Sequence, residues 1–266
     1  MRNNNYRSAV ILCGGKGGRL GSLSKKIPKS LVNIQNYPIL WFILNILKKN
    51  KFNHFILPIG YKGDQIKKFI KKSFPLDKKI QIVNTGTNTS IALRIHKIKK
   101  HIKSENFLLL NGDAIFDFNL DKIYKNHIRN KIIMTFVSFA YIANFGTVGV
   151  KKGKVVDFRR NMKFVFVKSK DRKDLTTYVY SGISILNKIA LSKDFRNSEN
   201  FENKLYPWII KKFKCNVEAP TGFFHPIDNI KDIKVGNNKE SEGTKYFQIN
   251  KIVKMINNLK KIQNEV

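Results

Sequence analysis

From residue 8 onward the chain alternates short apolar runs with longer amphipathic ones. Residues 9–13, 52–59, 79–83 and 107–110 are short, apolar and mostly β-prone, the pattern of strands buried on both faces. Helical patterns lie between them. Residues 37–49 are so densely apolar that the helix they predict is deeply buried, with Lys48 and Lys49 at its C-terminal end. A second helix, to about residue 72, follows the turn Gly60-Tyr61-Lys62-Gly63, with Asp64 placed to cap it. A third, over 90–101, follows the hydroxyl-rich loop Thr85-Gly86-Thr87-Asn88-Thr89. Alternating strand and helix over the first 113 residues predicts α/β: a mainly parallel, Rossmann-like sheet with helices on both faces, a three-layer α/β/α sandwich. Such sheets bind ligands beyond the carboxyl ends of their strands.

After residue 113 the rhythm changes. A helix at 119–129 and a strand at 132–139 precede short β segments at 147–151, 155–159, 164–168 and 177–186, with Lys152-Gly153 as a hairpin turn. Helices at 187–191 and 201–213, a strand at 216–219, a strand end entering a loop at 222–228 and a short helix at 230–235 follow. Residues 236–245 read as a polar linker. Residues 246–263 carry Ile249, Ile252, Val253, Ile256 and Leu259 at helical spacing, an amphipathic helix that would dock on the domain or on a second subunit of a homo-oligomer.

Composition adds limits. With 266 residues, 42% of them hydrophobic, the chain can bury a sizeable core. No apolar run reaches the roughly eighteen residues of a membrane helix, and the run behind MRNNNYRS breaks at Cys13-Gly14, too early for a signal peptide. A cytoplasmic protein with no membrane partner is expected. Cys13 and Cys215 have no CxxC spacing, so neither a metal site nor a disulfide framework is indicated. The formal charge of +33 invites nucleic acid as a partner, and a nucleic-acid binder with steep salt dependence is one rival reading. Yet Lys, Asn and Ile are abundant everywhere, as AT-rich coding would produce, and the basic residues are not gathered in one tail. No specific nucleic-acid partner is therefore expected, while such a field attracts polyphosphates.

Candidate chemistry begins at residues 8–32, SAVILCGGKGGRLGSLSKKIPKSLV. A buried strand runs into Gly14, Gly15, Gly17 and Gly18, whose amides can approach a phosphate. Arg19 and Lys29 supply the charge an anionic ligand needs. Asp113 follows a fully apolar strand and Gly112; Asp228 follows Pro226-Ile227. Two carboxylates at strand ends suit a Mg²⁺ ion carried by a nucleotide, although an N-cap and a turn residue are the plainer readings of each. None of the five histidines has metal-ligand spacing, and His225, near Asp228, reads as packing or hydrogen bonding before it reads as a base.

The segment GGKGGRL with Pro28-Lys29 ten residues on resembles the signature loop of the sugar-phosphate nucleotidyltransferases, with Ser30 where that family usually has a second proline. The resemblance covers most of residues 8–235 and implies the nucleotide-diphospho-sugar transferase fold: one domain over 1–240, with a nucleotide-binding half at 8–113 and a sugar-phosphate half with a β-rich insertion at 114–240, then a terminal helix at 241–266. It implies transfer of a nucleotidyl group from a nucleoside triphosphate to a sugar 1-phosphate, for nucleotide-sugar and polysaccharide biosynthesis. By the same resemblance Leu12, Gly14, Gly15 and Gly17 hold the nucleotide, with Thr85, Thr89 and Arg94 beside the base. Arg19 and Lys29 are catalytic, Asp113 and Asp228 hold Mg²⁺, and Gly146, Gly182 and Glu202 lie on the sugar-phosphate side. Pro38-Ile39-Leu40-Trp41 and 85–94 look most like the glucose-1-phosphate cytidylyltransferases; NGDAIFDFNL and Phe145-Gly146-Thr147 look as much like the heptose-1-phosphate guanylyltransferases. CTP is the first expectation and GTP the second.

Three segments depart from the family. Ile91-Ala92-Leu93 stands where small glycines are usual. The Glu-Lys pair falls near Arg160-Asn161 without its lysine, for which Arg159, Arg160 or Lys163 could substitute. Tyr180-Ser181-Gly182 keeps one glycine of an Asn-Gly-Gly segment. The first points to a different base pocket, and the sugar-side changes to an unusual acceptor, or else to a nucleotide-binding regulatory pseudo-enzyme.

Overall fold

The computed structural model describes residues 6–75, 77–142, 146–160, 162–168, 171–172, 174–192, 194, 201–239 and 244–264. Its main strands, in chain order, are β1 (Ser8–Leu12), β2 (His54–Ile59), β3 (Ile80–Asn84), β4 (Asn106–Asn111), β5 (Ala114–Phe116), β6 (Met134–Ser138), β7 (Thr147–Lys151), β8 (Lys154–Arg159), β9 (Tyr180–Asn187), β10 (Cys215–Glu218) and β11 (Phe224–Pro226). Its helices are α1 (Ile39–Lys49), α2 (Gly63–Ser73), α3 (Ile91–Ile98), α4 (Leu120–Arg129), α5 (Phe201–Lys212), α6 (Ile230–Asn237) and α7 (Thr244–Asn264).

Seven strands form one sheet in the order β10-β6-β9-β4-β1-β2-β3. β4, β1, β2 and β3 run parallel, β10 runs parallel to β6, and β9 is antiparallel to both neighbours. Successive side chains of each central strand enter opposite layers, as the two-residue period requires. Ala9, Ile11, Leu108 and Leu110 pack with α1, α2, α4 and α7; Val10, Phe107 and Leu109 pack with α3 and α5. The expected three-layer, mainly parallel α/β architecture is therefore present. Among the described residues no helix is long and apolar enough to cross a membrane.

Several boundaries differ from the sequence reading for local reasons. The helix expected from residue 37 starts at Ile39, because Asn33–Ile34 and Tyr37–Pro38 form a hairpin through Gln35 and Asn36, at φ 48° and 71°. Asp64 does not cap α2: Lys62 is the cap residue, and Asp64 sits in the first turn, pairing with Lys67. The strands expected at 164–168 and 177–186 each divide in two. The linker expected at 236–245 is shorter, since α6 extends to Asn237 and α7 begins at Thr244; residues 240–243 lie outside the described set. Ile249, Ile252 and Ile256 of α7 are buried in the same cluster as α1, so this face is used within the chain, while Leu259 is exposed.

Three buried histidines make the fold acid-sensitive. His54 Nδ1 lies 3.0 Å from Ser8 Oγ, His127 sits between Thr135 and Asn106, and His225 Nε2 donates to Asp232 O at 3.0 Å. Burial pushes each ring down to about 4, aided at His54 and His225 by nearby lysines. The unfolded chain therefore binds more protons between about pH 6.5 and 4, and stability falls as pH drops through that window, by up to about 1.4 kcal/mol per pH unit for each ring. Urea titrations are expected to give a lower midpoint at pH 5 than at pH 7.5; equal midpoints would contradict this origin.

Candidate active site

β1 delivers the glycine loop to the carboxyl edge of the sheet. Gly112 closes the next strand against it: its N–H donates to Leu12 O at 3.1 Å, and a Cβ there would lie 2.8 Å from that oxygen. This close approach requires glycine and places Asp113 beside the loop.

The second carboxylate arrives through a pairing absent from the sequence reading. β11 lies antiparallel to β5, and Ile227 N–H donates to Asp113 O at 2.9 Å, so 115 residues of chain close on one point. Asp232 then fixes the turn: its carboxylate accepts from the N–H groups of Asp228 and Asn229 at 2.8 and 3.0 Å, completing a capping box for α6. His225 packs beneath this turn, as a buried hydrogen-bonding residue.

Lys29 is the centre of the arrangement. Its Nζ donates to Asp113 Oδ2 at 2.8 Å and to Asp228 Oδ1 at 2.9 Å. Burial alone would lower Lys29, but the two carboxylates outweigh it and hold the ammonium above its usual range. Arg19 Nη1 reaches Asp228 Oδ1 at 3.1 Å, with most of the side chain in solvent at the rim. Arg19, Lys29 and Asp113 line a cleft of about 410 Å³ together with the glycine loop, Leu12, Thr89, Ile91, Arg94 and Asn111, among others, and Asp228 adjoins it through its contacts with Lys29 and Arg19. Its size suits a nucleotide-scale ligand.

A buried guanidinium supports the loop from below. Arg94 is only 4% exposed and donates to Gly14 O at 2.9 Å, Thr85 Oγ1 at 2.5 Å and Ile59 O at 3.3 Å. It thus ties the end of β2 to the loops after β1 and β3, and a Cβ on Gly14 would lie 2.2 Å from it. Thr85 is fully buried and its hydroxyl donates to Ile59 O at 2.8 Å, so it lies behind the cleft wall, whereas Arg94, though buried, contributes to the lining. Thr89, whose hydroxyl donates to Thr85 O at 2.7 Å, stands at the cleft wall itself. Replacing Arg94 with Met is expected to destabilise the fold by about 3 kcal/mol, because charge-assisted hydrogen bonds to buried acceptors are lost. Arg94→Lys should recover part of it. Urea unfolding of the two variants checks this.

The sugar-side residues are less gathered. Gly182 adopts φ 76° within β9, where a Cβ would lie 2.6 Å from Asn111 Nδ2, so it adjoins the cleft through Asn111. Gly146 is exposed at the start of β7, against the Phe158 ring, and does not line the cleft. Glu202 lies in the first turn of α5, raised by burial, near the Tyr180–Tyr206 phenol pair. It does not line the cleft either. Arg159 pairs with Asp157 on the hairpin at 2.8 Å. Phe145 and Asn161 lie outside the described residues.

Sequence reasoning missed Asn111, Ser30 and Cys13 as cleft residues, whereas Ile91, singled out as a departure at the base pocket, does line the cleft. The only signal for Asn111 was its place in Asn111-Gly112-Asp113. Ser30 follows the signature lysine, and its hydroxyl is buried without a hydrogen-bond partner among the described residues. Burial pushes the neighbouring Cys13 thiol up to about 12, so it is not a nucleophile at neutral pH. Among the described residues no cluster of three or more His, Cys, Asp or Glu is placed to hold a metal. The donor set does fit a nucleotide-borne Mg²⁺: two carboxylate oxygens already converge on one cation, Lys29 Nζ, and such ions use one or two carboxylates plus phosphates.

The model of the nucleotidyl transferase family matches residues 8–204. A probable glucose-1-phosphate cytidylyltransferase of Bacillus subtilis is 29% identical over 264 residues, covering 91% of this chain and 99% of its own. A D-glycero-alpha-D-manno-heptose 1-phosphate guanylyltransferase of Campylobacter jejuni is 33% identical over 234 residues, covering 83% and 99%. Among solved structures, HddC from Yersinia pseudotuberculosis complexed with GMP-PN shares the fold with a TM-score of 0.63 at 21% identity, over 85% of this chain and 96% of its own.

Proposed function

The chain belongs to the nucleotidyl transferase family of sugar-phosphate enzymes, and from that premise we propose that it uses CTP, with glucose 1-phosphate or a related sugar as acceptor. The general reaction is that of a sugar-1-phosphate nucleotidyltransferase: a nucleoside triphosphate and a sugar 1-phosphate give a nucleotide sugar and pyrophosphate.

One observation supports the assignment of roles: Lys29, Arg19, Asp113 and Asp228 converge where the glycine loop opens. In the proposed mechanism the loop amides hold the triphosphate. A sugar-phosphate oxygen attacks the α-phosphorus, and the bond to the bridging oxygen breaks as pyrophosphate leaves with its electron pair. Lys29 turns from the carboxylates toward the α-phosphate and neutralises charge there. Arg19, exposed at the rim, takes the β- and γ-phosphates. Asp113 and Asp228 would hold Mg²⁺, which supplies electrostatic alignment of the two phosphates. No general base is needed, since the attacking oxygen is already anionic. Positioning and charge neutralisation carry such reactions.

Two features support CTP. The B. subtilis relative is similar along nearly the whole chain, and Ile91, where the family usually has small glycines, adds a bulky side chain to the cleft wall, favouring the smaller pyrimidine. The 33% identity to the heptose-1-phosphate guanylyltransferase supports GTP with a heptose or mannose 1-phosphate as the second reading. A pyrophosphate-release matrix decides: CTP, GTP, UTP, ATP and dTTP against glucose, mannose and heptose 1-phosphates with Mg²⁺. The expected best pair contains CTP; a kcat/KM tenfold higher with GTP would replace it.

A further inference from the structure

Asn111 lines the cleft two residues before Asp113, and no step of the proposed reaction uses it. It is the last residue of β4 and pairs in register with Leu12 at the end of β1. The two-residue period of the strand puts its side chain on the same face as Phe107 and Leu109, which pack toward α3. That is the face on which Ile91 and Arg94 of α3 form the cleft wall.

The amide is held in place but left unused within the chain. Gly182 of the neighbouring β9 stands at φ 76°, and a Cβ there would lie 2.6 Å from Asn111 Nδ2, so only glycine leaves the amide its room. Among the described residues the Asn111 side chain makes no hydrogen bond. Other polar side chains around this end of β9 are engaged. Ser181 Oγ donates to Val137 O at 2.7 Å, Ser138 Oγ donates to Glu218 O at 3.3 Å, and the Tyr180 phenol lies 3.2 Å from that of Tyr206. A side-chain amide offers two donors and an acceptor, and here all of them remain for a ligand in the cleft.

The layout of the cleft says which ligand. Thr89, Ile91 and Arg94 bound it on the side of β2 and β3, and the glycine loop and Arg19, which take the triphosphate in the proposed mechanism, follow β1. Displacement at the α-phosphorus runs in line, so the acceptor enters opposite the departing pyrophosphate. Asn111 ends the strand on the other side of β1, next to β9. We propose that Asn111 is a specificity-determining residue for the acceptor, its side-chain amide hydrogen-bonding a ring hydroxyl of the sugar 1-phosphate. This rests on the placement of the triphosphate given under the proposed function, and it is independent of which base the nucleotide carries.

Steady-state kinetics test it, run with whichever nucleotide and sugar 1-phosphate turn over best, so that failure of the CTP expectation leaves the test intact. Asn111→Ala is expected to raise the KM for the sugar 1-phosphate by about tenfold, the worth of one net hydrogen bond. The nucleotide KM and the Tm should stay unchanged, because the amide bonds nothing within the chain. Against monodeoxy analogues of the acceptor, the wild type should lose about tenfold in kcat/KM with one of them. Asn111→Ala should no longer distinguish that analogue from its parent, as a double-mutant cycle requires. Gly182→Ala, which keeps the amide but pushes it aside, should raise the same acceptor KM. An unchanged acceptor KM in Asn111→Ala overturns the proposal. A rise confined to the nucleotide KM overturns the assignment to the acceptor, and equal deoxy penalties in wild type and variant overturn the hydroxyl contact.

Discussion

Lys29→Ala is expected to lower kcat by two orders of magnitude or more and, at the same time, to tighten the binding of free Mg²⁺. The two effects have one cause. The Lys29 ammonium stands between Asp113 and Asp228, at 2.8 and 2.9 Å, where the proposed metal would sit. It competes with a divalent ion there, so its removal leaves two carboxylates facing each other without a cation, and free Mg²⁺ gains affinity. Turnover needs the same ammonium at the α-phosphate, and loss of one such electrostatic partner typically costs about 3–4 kcal/mol of barrier. Calorimetry with Mg²⁺ alone and single-turnover kinetics read the two effects separately. Weaker Mg²⁺ binding in Lys29→Ala would remove the competition argument, and near-normal kcat would remove Lys29 from the reaction.

Asp113→Asn is the second large expected loss. The substitution keeps the shape of the side chain and the backbone bond from Ile227 N–H, so the β5–β11 pairing should persist with near-unchanged Tm. What disappears is one of two anionic ligands, and with it part of the field that keeps Lys29 raised. An expected fall in kcat of about a hundredfold follows from the same range of barrier loss, together with a rise in the Mg²⁺ concentration needed for half-maximal rate. A variant with normal rate and normal Mg²⁺ dependence would show that Asp228 alone suffices.

The alternating β/α organisation was legible because it is written in local periodicity: 9–13, 52–59 and 107–110 are apolar for the full length of a strand, and the intervening helices carry their own stripes. Arg19, Lys29, Asp113 and Asp228 were legible by motif. What periodicity could not show is pairing between distant short segments. β5 and β11 have three residues each, too few to give a pattern, yet their pairing joins the two carboxylates. The hairpin before α1 was hidden for a related reason, since Tyr37 and Pro38 look like the start of an apolar helix until the left-handed turn at Gln35-Asn36 is seen.

The sequence by itself determined the parallel sheet, the glycine loop at its carboxyl edge and the identity of the charged groups, because each depends on residue type and spacing along one stretch of chain. Only the tertiary structure decided which groups face the cleft. Thr85, Thr89 and Arg94 share a motif, yet Thr85 lies behind the wall while Thr89 and Arg94 line it, because the Thr85 hydroxyl is turned inward to Ile59 O. Whether Lys29 pairs with one carboxylate or two was likewise decided by distances across 199 residues of chain, which no local pattern encodes.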